Sequence, residues 1–490
     1  MAGIVARLLA FSQAPLVAQN ASNTHDLAPA RTTATSSSGS EASAASQSPQ
    51  ECNSDRYDPY VCECLGHNGC WFPSEVHEGP PYSHDEPWPE RSITCNIPAG
   101  NDPKGNDAPA IIKAFHDCRE NGHIIFENAT YYIGTKMNTT GLKDVTVELR
   151  GTMLWNTDIP YWLANSMPIG FQNQTAAWHL GGENLHFYGN GHGTLHGNGQ
   201  VWYDYNKGES NLHGRPHSIL ITNTKNAVIE GLNFLQPQMW AMTVARSEKV
   251  LLQDIYVNAT SADGNRNFRS NVNTDGVDTV YTNNITFLRW TIDNGDDSIS
   301  MKQNSTNIYI SNCTFYNGQA LAMGSIGQYP GQIEVIENVT ATDIRCVNTG
   351  YAGRVKSWTG KNKGFPPNGG GAGKGWARNI TFMNFTLEDV NLAWAISQCT
   401  SYNRARGDCN SSDFQISSLH WGRTHGTLKG DRIATLQCSA SAPCSNIHLF
   451  DNDLYALDQH LKPADSYLCE QVVNPTGFNC TGPCAGQCPH

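Results

Sequence analysis

Short runs of alternating apolar and polar residues recur along most of this chain. HIIFENATYYI begins at His123, NAVIEGLNF at Asn226, KVLLQDIYV at Lys249 and NITFLRWTI at Asn284. NIYISNCTF follows at Asn307, NITFMNFTL at Asn379 and NIHLFDNDL at Asn446. Strict alternation sends successive side chains to opposite faces of a strand, so each run reads as a short β-strand with one buried face. A polar residue, usually Asn, opens each run. The pairs Asn226/Lys249 and Asn284/Asn307 are each 23 residues apart, a spacing that suits one coil of a solenoid rather than a helical repeat. Asn recurring at one corner would stack into a hydrogen-bonded ladder. Asn106–Cys118, NDAPAIIKAFHDC, has an apolar spacing that suits a short helix, with Asp107 two positions before Pro109.

Length and composition agree with a solenoid. A chain of 490 residues can form one domain if each coil packs only on its neighbours. Charged residues make up 16% and there are 45 Gly, which fits tight turns between stacked strands. The net charge of −12 argues against a nucleic-acid partner, which needs a basic face. An anionic substrate would then require a locally positive cleft on an acidic body. No run of about 18 apolar residues occurs, so no membrane-spanning helix is expected.

Sixteen cysteines point to disulfides and an oxidising compartment. Cys399/Cys409 and Cys438/Cys444 read as loop staples. N-x-S/T acceptors at Asn128, Asn138, Asn173, Asn258, Asn284, Asn304, Asn312, Asn338, Asn379, Asn384, Asn410 and Asn479 also fit a secreted glycoprotein. Residues 1–18 carry Arg7 and a short apolar core, Leu8 to Phe11, and read as a weak signal peptide. Residues 19–50 read as a disordered Ser/Ala/Thr-rich linker, 51–94 as a Cys-rich extension lying on the main domain, 95–465 as the solenoid and 466–490 as a Cys-rich tail. The four cysteines of Cys52–Cys70 lack the usual zinc-ligand spacings. His186, His192 and His196 sit in a Gly–Asn–Gly context and read as turn residues rather than metal ligands.

The candidate chemistry lies between Asn273 and Lys356. NTDG occupies Asn273–Gly276, GDD Gly295–Asp297, NGQALAMGSIGQY Asn317–Tyr329 and RVK Arg354–Lys356. Cleaving a glycosidic bond needs one carboxyl to protonate the leaving oxygen and another to activate water or attack carbon. Asp275, Asp296 and Asp297 supply three. Mutual repulsion in such a cluster should raise the pKa of at least one member. Arg354 and Lys356 alternate around Val355, so both can face one cleft and would suit an anionic substrate. Asp296 and Asp297 would face opposite ways on a regular strand; Gly295 could allow the bend that brings both to one cleft. Lys302, on the strand after GDD, is a further candidate substrate contact. Gly369–Gly375 fails the phosphate-loop pattern. Lys361 to Lys374 reads as a mobile basic loop near the cleft.

In that order these motifs resemble glycoside hydrolase family 28, the polygalacturonases and rhamnogalacturonases, over roughly Cys95 to Cys444. The resemblance implies an all-β fold: a single right-handed parallel β-helix whose N-terminal end is capped by a short helix. It also implies inverting hydrolysis without a cofactor or metal. Asp296 would be the general acid, and Asp275 and Asp297 would hold and deprotonate the water. Inversion predicts carboxyl groups about 6.5–9.5 Å apart. One departure matters. Polygalacturonases carry His in a G-H-G motif, where this chain has Gly318-Gln319-Ala320. Gln hydrogen-bonds sugar hydroxyls but carries no charge. AMGS at Ala322–Ser325 resembles the rhamnogalacturonan-cleaving members, and GQY at Gly327–Tyr329 the exo-acting ones.

The expected function is therefore a secreted, monomeric, exo-acting hydrolase that removes α-L-rhamnose from rhamnogalacturonan, with a cleft closed at one end. A neutral sugar would lie near Gln319 and a galacturonate against Arg354 and Lys356. Two alternatives stand beside it: an exo-polygalacturonase releasing galacturonic acid, and a non-catalytic pectin-binding solenoid. In all three the partner is a pectic polysaccharide, with no nucleic acid and no membrane.

Overall fold

A computed structural model describes residues 84, 87–263, 270–400, 402 and 407–484. The calls on residues 1–83, including the signal peptide, the linker and Cys52–Cys70, lie outside these. Nearly all strands pair in parallel with the strand one coil earlier and one coil later, which makes a parallel β-helix. The register is what builds its core. Phe187 lies beside Ile229, Ile229 beside Leu252, Leu252 beside Phe287 and Phe287 beside Ile310. The column continues through Ala341, Phe382, Trp421 and Leu449. All of these side chains are buried. Fully burying one large apolar side chain contributes about 1.5–3 kcal/mol, so a one-residue slip, which would turn each column outward, is strongly opposed.

The Asn corner has a backbone cause. Asn226, Lys249, Asn284, Asn307, Asn338, Asn379 and Asn446 all adopt left-handed φ, between 53° and 59°. Asn tolerates this region better than other non-glycine residues. The side chains form the expected ladder in part: Asn338 Nδ2 donates to Asn307 Oδ1 (2.9 Å) and Asn379 Nδ2 to Asn338 Oδ1 (3.1 Å). Lys249 cannot continue it. These two steps span 31 and 41 residues rather than 23, because long loops are inserted in those coils.

The expected helix runs Ala108–Asp117 and buries Ala108, Ile111 and Phe115 over the end of the core. The Cys95–Cys118 disulfide ties its end to the first strand, Ile93–Ile97. Cys399–Cys409 and Cys438–Cys444 are bonded as expected, and Cys469–Cys480 is a further bridge.

Two domain boundaries move. Ser466–Glu470 pairs in parallel with Arg432–Gln437, so the solenoid continues past 465. At the other end it begins at Ile93. From the preceding extension, Trp88 stacks on His186 at 5.0 Å. His186 is thus a strand residue, on Thr175–Tyr188, hydrogen-bonded to Glu230 (2.7 Å) rather than part of a turn. Among the described residues no helix is long and apolar enough to cross a membrane.

Candidate active site

The three aspartates come from two neighbouring coils. Asp275 precedes the strand Val277–Leu288; Asp296 and Asp297 stand in the turn between Thr291–Asn294 and Ile299–Met301. Val277 pairs with Ile299, which places the two motifs one above the other. One residue absent from the sequence prediction locks them together. The buried Asn294 donates through Nδ2 to the carbonyls of Thr274 (3.0 Å), Asp296 (2.9 Å) and Asp297 (2.9 Å). Thr274 adds a hydrogen bond from Gly295 N at 3.0 Å. Gly295 is needed, though not for an unusual φ: a Cβ there would lie 2.3 Å from Asn271 Oδ1. It permits close approach between motifs, while the turn itself brings both aspartates to one side.

One oxygen from each of Asp275, Asp296 and Asp297 lies within 4.8 Å of the others. This nearest-oxygen spacing is shorter than the carboxyl separation expected for inversion, because adjacent coils are only about 4.7–4.9 Å apart. A water molecule still fits between any two of them: two O–H···O contacts of about 2.8 Å span roughly 5.6 Å.

Arg354 and Lys356 belong to Tyr351–Trp358, two coils further on. They reach back over Ala322 and Gly324, their register partners in the intervening coil. Arg354 Nη2 lies 2.5 Å from Asp297 Oδ1 and Lys356 Nζ 2.6 Å from Asp297 Oδ2. The small side chains of the AMGS segment leave that path open. Both cations thus already have a partner, Asp297. Lys302 is paired too. Its ammonium is buried, 2.9 Å from Asp278 Oδ1 and 3.9 Å from Asp297 Oδ2, and donates to Ser300 Oγ and Gly324 O. Asp278, three residues beyond Asp275 and wholly buried, was not singled out by sequence.

Burial and charge separate the three carboxyls. For Asp297 burial is opposed by Arg354, Lys356 and Lys302, which together hold it well below the usual carboxylate range. Asp296 is raised by burial and by the negative charge of Asp297. Asp275 is raised well above its ordinary value by burial, then by Asp278, Asp296 and Asp297. Asp296 is the least buried of the three. It accepts hydrogen bonds from Asp297 N (2.9 Å) and Asn273 Nδ2 (3.3 Å). Burial pushes Asp278 up to about 7, against the pull of Lys302.

These groups line a cavity of about 160 Å³ together with Gln172, Asn211, Trp240, Asn273, Tyr351, Ser397, Thr400 and Tyr402. That is below the roughly 300–1,000 Å³ of pockets for drug-sized ligands and suits a single sugar ring. Its three cations face three carboxylates plus Asp278, so the cavity is nearly charge-balanced instead of positive. Gln319 is not in the lining. Its side chain fills the space over Gly350, where a Cβ would lie 2.2 Å from Oε1.

Loops from distant coils meet at the cavity wall. Gln172 Nε2 donates to Gln328 Oε1 (2.5 Å), and Gln328 Nε2 to the carbonyls of Pro367 (2.9 Å) and Gly369 (2.8 Å). Asn211 N donates to Asn273 Oδ1 (2.8 Å), and Asn211 Nδ2 to Asn368 Oδ1 (3.0 Å). The loop read as mobile is thus bonded to the wall by its Pro367–Gly369 stretch.

The family model for glycosyl hydrolases family 28 matches residues 129–473. Alpha-L-rhamnosidase rgxB of Aspergillus niger is 43% identical over 389 residues, covering 79% of this chain and 90% of that protein. A putative galacturan 1,4-alpha-galacturonidase A of Aspergillus niger is 37% identical, covering 74% and 88%. Among solved structures, endo-xylogalacturonan hydrolase from Aspergillus tubingensis superposes with a TM-score of 0.64 at 24% identity, over 80% of this chain and 99% of that one, and shows the same fold. On the strength of the family match and of relatives aligned over most of their length, the chain belongs to glycosyl hydrolases family 28 and is an O-glycosyl hydrolase.

Proposed function

We propose that this enzyme is an exo-acting, inverting hydrolase that releases terminal α-L-rhamnose from rhamnogalacturonan outside the cell. The observation that carries the choice of sugar is the pairing of charges in the cavity. Among the described lining residues, Arg354 and Lys356 are bound to Asp297, Lys302 is bound to Asp278, and apart from the carboxyls of Asp275 and Asp296 the remaining polar groups are uncharged. A galacturonate enclosed there would bury its carboxylate without an unpaired cation, at a cost of several kcal/mol. Rhamnose is neutral and ends in a methyl group. The similarity to alpha-L-rhamnosidase rgxB supports the same choice. The small cavity and its loop-built wall favour a chain end over the middle of a polymer. The disulfides fit an extracellular site.

In this reading Asp296, raised and the most accessible of the three, protonates the leaving oxygen. Asp275 and Asp297 hold the attacking water between them. A carboxylate held as low as Asp297 accepts a proton poorly, so Asp275 takes the water proton. Asp297 orients the water and anchors Arg354 and Lys356.

The galacturonidase reading keeps one point in its favour: Arg354 Nε has no hydrogen-bond partner. Product analysis decides. The enzyme is incubated separately with rhamnogalacturonan and galacturonan, and the monosaccharides released are identified. Free rhamnose from the first is expected; galacturonic acid from the second would overturn the assignment.

A further inference from the structure

Phe365 is 86% exposed, more than any other large apolar side chain among the described residues. Hydration of such a ring is unfavourable, and nothing in the core requires it there. The loop that carries it is not slack. Lys363 and Gly370 exchange two backbone hydrogen bonds (2.9 and 3.0 Å), and Gly369 N donates to Phe365 O at 2.8 Å. The same loop is tied to the cavity wall by Gln328 and by Asn368, whose Nδ2 donates to Ser210 O at 3.1 Å. Asn368 in turn meets Asn211, which lines the cavity. Phe365 is three residues from Asn368, so their Cα atoms are at most about 11 Å apart.

The charge of the loop adds a second observation. Between Thr359 and Trp376 stand Lys361, Lys363 and Lys374 and no acidic residue, in a chain of net charge −12. Lys361 pairs with Asp408 at 2.7 Å; the segment itself carries three lysines and no carboxylate. A pyranose ring presents one face of C–H groups, and an exposed aromatic ring packs against such a face; galacturonate also carries a carboxylate that nearby lysines attract.

We infer that Phe365, with the lysines of its loop, forms an outer subsite that stacks a ring of the acidic pectic chain beyond the sugar held in the cavity. This rests on the exo-acting reading above, in which only the terminal residue is enclosed and the rest of the chain lies outside. The subsite makes the enzyme favour long chains over short ones.

The test compares KM for rhamnogalacturonan oligosaccharides of increasing length with KM for an aryl α-L-rhamnoside, in the wild type, Phe365→Ala and Phe365→Trp. Phe365→Ala is expected to raise KM for the long oligosaccharides about three- to tenfold more than for the aryl rhamnoside, and Phe365→Trp to restore the preference. An equal change for both substrates, or no change in their ratio, overturns the subsite. Should the wild type release galacturonic acid instead of rhamnose, the sugar assignment falls, and the same length comparison on galacturonan oligomers still judges Phe365.

Discussion

Lys356 Nζ lies 2.6 Å from Asp297 Oδ2 although the two residues stand two coils apart. The bond spans the intervening coil because Gly324, the register partner of Lys356, has no side chain to block it. Lys356 lowers the pKa of both Asp296 and Asp297. Lys356→Gln removes that influence, so both carboxyls rise. The alkaline limb of the kcat/KM profile, which reports the acid Asp296, should move to higher pH. A limb that stays in place would show that Lys356 does not set the ionisation of the site.

Asp296→Asn keeps the shape of the general acid and removes its proton. The rate should fall by about a hundred- to ten-thousandfold, with an unchanged circular dichroism spectrum. A variant with near-normal kcat would reject the acid assignment. Because polymer binding does not need the proton, this variant should still retain rhamnogalacturonan in an affinity gel.

The stereochemical outcome is separately measurable. Oxygens of all three aspartates lie within 4.8 Å, a spacing that admits a bridging water but is also near the roughly 5–5.5 Å carboxyl separation of retaining enzymes. Proton NMR of the first-formed rhamnose should show the inverted anomer. The retained anomer would make one aspartate a nucleophile.

Asn294→Ala removes the side chain that ties the two aspartate motifs together through three carbonyls. Asp296 O and Asp297 O keep backbone donors, Gln319 N at 2.7 Å and Gly276 N at 3.0 Å, so the stability cost should stay at about 1 kcal/mol. The larger effect should be on kcat, with KM little altered, because the carboxyls lose registration while the cavity walls stay. A change confined to KM would contradict this.

Stability should also depend on pH in a direction set by burial. Asp275 is raised well above the ordinary carboxylate value and Asp278 to about 7, both chiefly by burial. The folded state therefore binds their protons more tightly than the unfolded chain does. Their contribution is full below the unfolded value near 4 and is lost as pH rises through the folded values, about 7 for Asp278. Asp297 acts in the opposite sense, with stability present above about 4 and lost as pH falls through its lowered value. Asp275→Asn removes a buried acid, so its melting temperature should exceed that of the wild type at pH 7, by more than at pH 4.5. Equal differences at the two pH values would contradict the raised value.

Much of this was legible before any coordinates. Alternation fixed which residues face inward, and the 23-residue spacing set the coil wherever no loop intervenes. NTDG and GDD pointed to Asp275, Asp296 and Asp297. The longer steps between later ladder positions escaped notice because inserted loops have no period of their own. Asn294 escaped because one Asn among many gives no local sign that its amide reaches three carbonyls. Asp278 escaped because its importance comes from a lysine one coil away.

The sequence by itself determined the stacked-strand fold and the acidic residues, since a period of two and a motif of consecutive residues are both local properties. Only the tertiary structure decided which carboxylates the cations meet. Arg354, Lys356 and Lys302 read as contacts for substrate, and the stacking of coils places Asp297 and Asp278 against them. Coulomb attraction acts across the space between coils, a distance that does not follow from separation along the chain.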